Sequence, residues 1–519
     1  MRHRSSLALL FLLGAARSLP TPNDCAALAS KIKLDFPFTV NFAQYVPSNT
    51  TIDPIAEGTN ITCATGTPPA QPIPVAFCRV NLRVETSESS EIYMETWLPD
   101  NWKGRTLTAG NGGLAGCIPH ADLANGASLG FASTGTNAGH NGTSAGAFYN
   151  QPEVVKDFAW RGVHTGTVVG KIVAKTYYGR DCGKSYYTGC SMGGRQGWEA
   201  VQNAPDLFDG VISGAPAINL YAHLSYFGYV LEPLGFNTSN ISLDQWAAIQ
   251  AAVLEQCDDL DGARDGMLED PSACKFDFTE LVCTNNSAST CLTAEQAKQA
   301  ATLFAPLTYN GTLIHPGFPH GFEVSLISIM YSELIRTWLP EAFRYLIYSD
   351  ISWDPTTFTL ADALNAIQGN AGDLAAFDAD ISAFRDHGGK ILHWHGLNDD
   401  FLSEEISTLY YTKVQTKLNS SVAELDEFYR YFRASGVAHC IGGPGAHLMG
   451  QWGQQVAGTD PDDNMLVRMV EWVEKGNAPE YVRGTNLEKR SARKHCKYPK
   501  VNHYKGTGDG SDEEGWECI

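Results

Sequence analysis

Hydrophobic positions along the chain follow two rhythms. Short apolar runs with strand character stand at Val80 to Val84, Ile92 to Leu98 and Thr106 to Ala109, the last leading directly into a glycine-rich segment, Gly110 to Gly116. Asp157 to Thr176 carries helical periodicity with few breakers and precedes a β-rich run, Ser185 to Thr188. A tight glycine-rich turn, a helix-like stretch to Gln202 and a short buried strand, Val211 to Ser213, follow. Strands alternating with helices predict a parallel sheet covered on both faces.

From about Leu220 to Asp380 the rhythm is lost. Clustered cysteines, Asp-rich loops and many aromatics replace it, with weak strand signals. Lys390 to Trp394 restores a core strand, and Pro461 to Lys475 reads as an amphipathic helix. The simplest architecture is an α/β domain over 19–219 and 381–519, interrupted by an inserted lid over 220–380.

The first residues change the picture of the compartment. Arg2 and Arg4 precede an apolar run, Leu7 to Leu13, and then small residues from Gly14 to Ser18. That order predicts a signal peptide over 1–18, a mature chain from about Leu19, and secretion. No other stretch approaches the length of a membrane span. Thirteen cysteines fit an oxidising compartment, and the odd count leaves at least one outside an intrachain pair. Sequons begin at Asn49, Asn60, Asn141, Asn237, Asn240, Asn285, Asn310 and Asn419, so several surface segments are expected to carry glycans. A net charge of −20 argues against nucleic acid or an anionic membrane as partner. Nothing in the sequence chooses between a monomer and a homodimer.

Candidate chemistry centres on Gly189-Cys190-Ser191-Met192-Gly193, a G-x-S-x-G pentapeptide between a strand-like and a helix-like run. The glycines permit a sharp turn that lifts a serine hydroxyl clear of the sheet, and the following helix N-terminus favours developing negative charge. A nucleophilic serine needs a base and an orienting carboxylate, in the chain order serine, acid, histidine for an α/β-hydrolase fold. Asp399 follows the Lys390-to-Trp394 strand, with Asp400 beside it; His439 and His447 are the downstream bases. Cys190 immediately precedes Ser191 and Cys440 immediately follows His439. A bridge between them would set their Cα atoms about 4.4–6.8 Å apart and force Ser191 and His439 together, support that His447 lacks. For an oxyanion hole, the Met192 N–H is one donor and Gly113, ahead of Gly112, the second.

This arrangement resembles the tannase and feruloyl esterase family, most closely its fungal feruloyl esterase B group. The resemblance covers almost the whole mature chain. It is carried by Gly110 to Cys117, Val163 to Gly170, Gly189 to Gly197, Leu425 to Arg430 and Arg493 to Pro499. It implies Asp399 as the acid and the Cys190–Cys440 bridge. It further implies Cys25–Cys78, Cys63–Cys117, Cys257–Cys274, Cys283–Cys291 and Cys496–Cys518, with Cys182 left over. Asp258 to Asp270 is an acidic loop that departs from the EF-hand pattern and alone reads equally as a solvated turn. The resemblance implies a structural Ca²⁺ there, held by Asp258, Asp261 and Asp265 side chains and the Ala263 and Met267 carbonyls, with no organic cofactor. The expected activity is hydrolysis of hydroxycinnamate esters on plant cell-wall polysaccharide through an acyl-enzyme. Tannase action on gallate esters and a non-catalytic binding module are the alternatives.

Overall fold

The computed structural model describes residues 21–64, 72–235, 240–284, 290–453, 455–506 and 510–519. The expected signal peptide over 1–18 and the sequons at Asn237 and Asn285 lie outside these residues. Its frame is a nine-stranded sheet built from β1 (Phe38–Val46), β2 (Phe77–Ser87), β3 (Ser90–Pro99), β4 (Arg105–Ala109), β5 (Phe131–Thr136), β6 (Lys184–Cys190), β7 (Gly210–Gly214), β10 (Lys390–Gly396) and β11 (Tyr429–Ala434). A hairpin of β8 (Leu307–Tyr309) and β9 (Thr312–His315) stands apart from it.

The spatial order is β1-β2-β3-β5-β4-β6-β7-β10-β11. The first pairings, β1 to β2, β2 to β3 and β3 to β5, are antiparallel; from β5 onward every neighbour is parallel. A parallel sheet must be buried on both faces, and long helices meet that need. Gly162–Tyr178 packs over β3 and β5, where Gly166 and Gly170 let the helix lie against Thr136 and Thr134 of β5. Met465–Lys475 covers β7 and β10 with Met465, Leu466, Met469 and Trp472. This helix starts four residues later than the pattern predicts. Asn464 caps it, accepting from the N–H groups of Leu466 and Val467, so Pro461 to Asp463 remain a turn outside it.

Between β7 and β10 the chain is mostly helical, with helices at Leu220–Leu231, Leu243–Cys257, Ala294–Thr302, Glu323–Met330, Glu333–Glu341 and Leu360–Gly369. Their apolar faces share one core with Leu114, Phe148, Phe158, Met192 and Phe401 from the edge of the sheet domain. The helical span is thereby seated over the C-terminal ends of the parallel strands, where ligands bind in this class of sheet. Among the described residues no helix is long and apolar enough to cross a membrane.

Candidate active site

Ser191 is the first residue beyond β6, at φ 62° and ψ −124°, a region that a residue with a side chain rarely adopts. The turn closes because its flanks are glycine. A Cβ on Gly189 would meet the Gly193 backbone at 2.6 Å, and one on Gly193 would press on the Asn111 carbonyl at 3.1 Å. Backbone bonds on both sides pin the serine: its N–H donates to the Gly214 carbonyl, and its own carbonyl accepts from Ala217 and Arg195.

The Ser191 hydroxyl lies 3.0 Å from His439 Nε2, and His439 Nδ1 lies 2.8 Å from Asp399 Oδ2. Asp399 is fully buried after β10. Its Oδ1 accepts from the N–H groups of Phe401 (2.9 Å) and Leu402 (2.8 Å), and its Oδ2 also meets His395 Nε2 at 3.1 Å. Burial works to raise this carboxyl, but the adjacent His439 and the imidazole hydrogen bonds outweigh it and hold it below the usual range. Burial likewise works to lower His439, and the Asp399 charge reverses the sign, leaving this histidine above its ordinary value. Asp399 therefore remains an ionised acceptor, and His439 is a strengthened base.

The alternatives left open by pattern fall elsewhere. Asp400 is turned to the Ser325 hydroxyl, and His447 faces Gln455 and Glu488. Cys190 and Cys440 are bridged across 250 residues with Cα atoms 5.9 Å apart, and Cys440 is itself held at φ 62°. The structure also forms Cys25–Cys78, Cys63–Cys117, Cys257–Cys274, Cys283–Cys291 and Cys496–Cys518. Cys182 is a half-buried thiol that burial pushes up to about 11, too high for a reactive thiolate at neutral pH.

Met192 opens the helix Met192–Asn203, so its N–H has no acceptor within that helix. The glycine-rich loop after β4 is fixed against the same turn. Asn111 N–H donates to Gln196 Oε1, and Asn111 Nδ2 donates to the Cys117 and Thr136 carbonyls. Gly113 has φ +53°, and a Cβ there would strike the Trp338 ring at 2.5 Å. Trp338, from the helix Glu333–Glu341, meets Phe401 edge-on at 5.6 Å; Phe401 in turn lies 5.7 Å from Phe227 and 5.2 Å from the His439 ring. Phe401 thus stands against His439, with Trp338 beside it and the buried Phe227 behind. Sequence reasoning missed these three residues because a lone aromatic in a helix or loop carries no periodic signal. It also missed the contact of His395 with Asp399; alternation of His393 and His395 on one strand was the available clue.

The acidic loop folds two of its carboxylates onto its own backbone N–H groups. Asp258 Oδ1 accepts from Gly266 and Met267 N–H, and Asp261 accepts from Ala263 and Glu269 N–H. Burial, helped by the charges of Asp265 and Asp258, pushes Asp261 up to about 7. Asp265 also pairs with Arg493 at 3.0 Å. Among the described residues no three acidic, histidine or cysteine side chains alone gather tightly enough to hold a metal. The two buried carboxylates, Asp258 and Asp261, are hard oxygen donors of the kind a hard divalent cation takes.

Comparison with known proteins places this geometry in company. A family model described as tannase and feruloyl esterase matches residues 78–519. A probable feruloyl esterase B from Aspergillus clavatus is 43% identical over 99% of this chain and all of its own length. A probable feruloyl esterase B-1 from Aspergillus flavus is 45% identical over 95% of each chain. The crystal structure of feruloyl esterase B from Aspergillus oryzae superposes with a TM-score of 0.90 at 41% identity, over 96% of this chain and 100% of that one.

Proposed function

Because the chain belongs to the tannase and feruloyl esterase family of carboxylic ester hydrolases, we propose that it is a secreted serine esterase cleaving feruloyl and related hydroxycinnamoyl esters of plant cell-wall polysaccharide. The observation that carries this reading is the hydrogen-bonded series Ser191, His439, Asp399 on a strained turn, stapled beside the reacting atoms by Cys190–Cys440.

In this mechanism His439 Nε2 takes the Ser191 proton as Oγ attacks the ester carbonyl carbon. The Met192 and Gly113 N–H groups receive the charge that develops on the carbonyl oxygen. His439, now an imidazolium held by Asp399, returns the proton to the departing sugar oxygen and leaves an acyl-Ser191. Water, deprotonated by the same histidine, then releases the acid. Phe401 and Trp338, with Phe227 behind, support a planar aromatic acyl group, since such rings favour stacked or edge-on partners. Seating of the helical span over the strand ends supports 220–380 as a lid on the site.

The acidic loop would hold calcium through Asp258, Asp261 and Asp265 and the carbonyls of Ala263 and Met267. The ion would supply charge neutralisation and cross-linking within the lid, and the chemistry at Ser191 needs neither. Six disulfides support an oxidising, extracellular destination.

The test is covalent labelling by a fluorophosphonate, followed by turnover of methyl ferulate, caffeate, sinapate and gallate. One label at Ser191 and preference for a hydroxycinnamate are expected, with both label and turnover lost in Ser191→Ala. Turnover surviving in folded Ser191→Ala refutes the nucleophile, and preference for gallate refutes the acyl assignment.

A further inference from the structure

Two imidazoles share the carboxylate of Asp399. Oδ2 takes His439 Nδ1 on one side and His395 Nε2 on the other, at 2.8 and 3.1 Å. His395 is fully buried and lies two residues from the equally buried His393 on β10, so the rings point to the same face of the strand. Ser407, from the helix Glu404–Leu418, bridges them: its Oγ is 2.7 Å from His395 Nδ1 and 3.1 Å from His393 Nε2. His393 Nδ1 is then 2.9 Å from the Tyr429 hydroxyl on β11.

The donors in this series can be assigned. His395 Nε2 faces two acceptors, Asp399 Oδ2 and the Leu402 carbonyl at 3.0 Å, so it carries a hydrogen. With neutral imidazoles the remaining roles follow in turn. Ser407 donates to His395 Nδ1, His393 Nε2 donates to Ser407, and Tyr429 donates to His393 Nδ1. A buried chain of hydrogen bonds, each oriented by the next, runs from Tyr429 to the catalytic carboxylate. Four polar side chains in a core cost desolvation that an apolar filling would avoid, so simple packing does not explain them.

We propose that His395 is a positioning residue of the active centre: as second donor to Asp399 Oδ2, backed by Ser407, His393 and Tyr429, it aims that carboxylate and restrains the basicity of His439. The proposal rests on the reading of His439 as the base. The titratable and charged groups around the pair come from every neighbouring element. They are Asp400 on the same loop, His223 from Leu220–Leu231 with His315 against it, and His393 on β10. Glu404 and its partners Tyr431 and Arg433 on β11 complete the set. None of these bonds the Asp399 side chain; among the described residues His395 and His439 are its two side-chain partners. Negative charge on Asp399 stabilises the His439 imidazolium, and a second donor on the same oxygen draws part of that charge away. Removing the donor therefore raises the His439 pKa, and the acid limb of kcat/KM, where the base must be neutral, moves to higher pH.

The test compares the full-length protein with His395→Phe, which keeps a ring and loses both nitrogens, and His395→Gln, whose amide nitrogen reaches the Nε2 position. Ser407→Ala cuts the chain behind an intact His395. Rates on methyl ferulate across pH are divided by active sites titrated with a fluorophosphonate. His395→Phe is expected to move the acid limb up by about 0.5–1 pH unit and to lower plateau kcat about tenfold, with KM nearly unchanged. His395→Gln should restore most of both, and Ser407→Ala should shift the limb in the same direction by less. An acid limb of folded His395→Phe that coincides with wild type overturns the proposal, as does a folded His395→Gln shifted as far as the Phe variant. If His395→Phe yields no titratable sites, an unmoved limb in Ser407→Ala overturns it. His439→Ala is run alongside: wild-type turnover there sinks the base assignment itself, whereas an inactive control with unmoved His395 variants removes the role of His395 alone.

Discussion

Replacing Cys190 and Cys440 together by alanine separates what a covalent bridge does for stability from what it does for chemistry. In the chain-entropy model, opening a loop closed across 250 residues costs about 5–6 kcal/mol. The five other bridges stay intact, and the loss falls within the ordinary span of domain stability, about 5–15 kcal/mol, so the assay is made in the cold on the fraction that keeps its fold. The effect on chemistry follows from conformation. Cys440 is held at φ 62°, which a residue with a side chain leaves when released, and His439 is its immediate neighbour. A drift of His439 by about 1 Å from its 3.0 Å contact with Ser191 corresponds to about a hundredfold in rate. The assay is turnover of methyl ferulate per fluorophosphonate-titrated site, measured well below the melting temperature of the variant. Normal turnover per site would refute the argument and leave the bridge as a staple that merely lies beside the triad.

His439→Ala should lower kcat/KM by about a thousandfold or more, as removal of a general base does, while His447→Ala stays near wild type; the reverse ranking in steady-state rates would move the base. The wild-type kcat/KM should fall on acidification with a midpoint above the ordinary histidine value, because the Asp399 charge raises His439 and only the neutral ring accepts a proton; a midpoint below that value in the pH profile would contradict the pairing. Calcium at a hundred times its Kd should stabilise the fold by about 2.7 kcal/mol, seen as a melting temperature that drops on chelation in wild type and not in Asp261→Asn; melting curves indifferent to chelator in wild type would remove the ion. Trp338→Ala should raise KM for methyl ferulate about three- to tenfold, the worth of one aromatic contact, and leave an acetyl ester unaffected; equal loss on both esters would take Trp338 out of the acyl pocket.

The catalytic segments were legible because each carries its own local rule: apolar run, glycine turn, helix. Three other strands of the sheet were not. β5 reads Phe131-Ala-Ser-Thr-Gly-Thr136 and is buried throughout, but its small polar residues bond to neighbours, as Thr96 and Thr134 do across β3 and β5, instead of advertising an apolar stripe. β11 carries Arg430 and Arg433, which break a hydrophobic pattern on paper. In the fold Arg430 is buried on the Asp426 and Pro479 carbonyls, and the half-buried Arg433 pairs with Glu404. Asp426 is four residues from Arg430, but Pro479 and Glu404 lie tens of residues from the arginines they hold, beyond any local reading. β1 is a different case: Phe38-Thr-Val-Asn-Phe42 does alternate apolar and polar residues, and the short run, broken by a register shift after Val40, was passed over. At the site, the nucleophile turn and its flanking cysteines were readable in the chain, whereas the aromatic cluster and the His395 contact arise from tertiary approach.

The free thiol of Cys182 acquires a meaning from its distance to Cys190. Synthesis at about 5–20 residues per second delivers Cys440 some 12–50 s after Cys190, and through that interval Cys182 is a nearby competitor for pairing. The two cysteines bracket β6, one before its first residue and one at its last. From Lys184 to Cys190 the strand rises ~20 Å, which holds thiols at its two ends far beyond disulfide reach. The strand that presents the nucleophile thus doubles as a rigid spacer: once β6 is zipped between its neighbours, the wrong bridge is geometrically closed, and Cys190 is kept for a partner that has yet to be made.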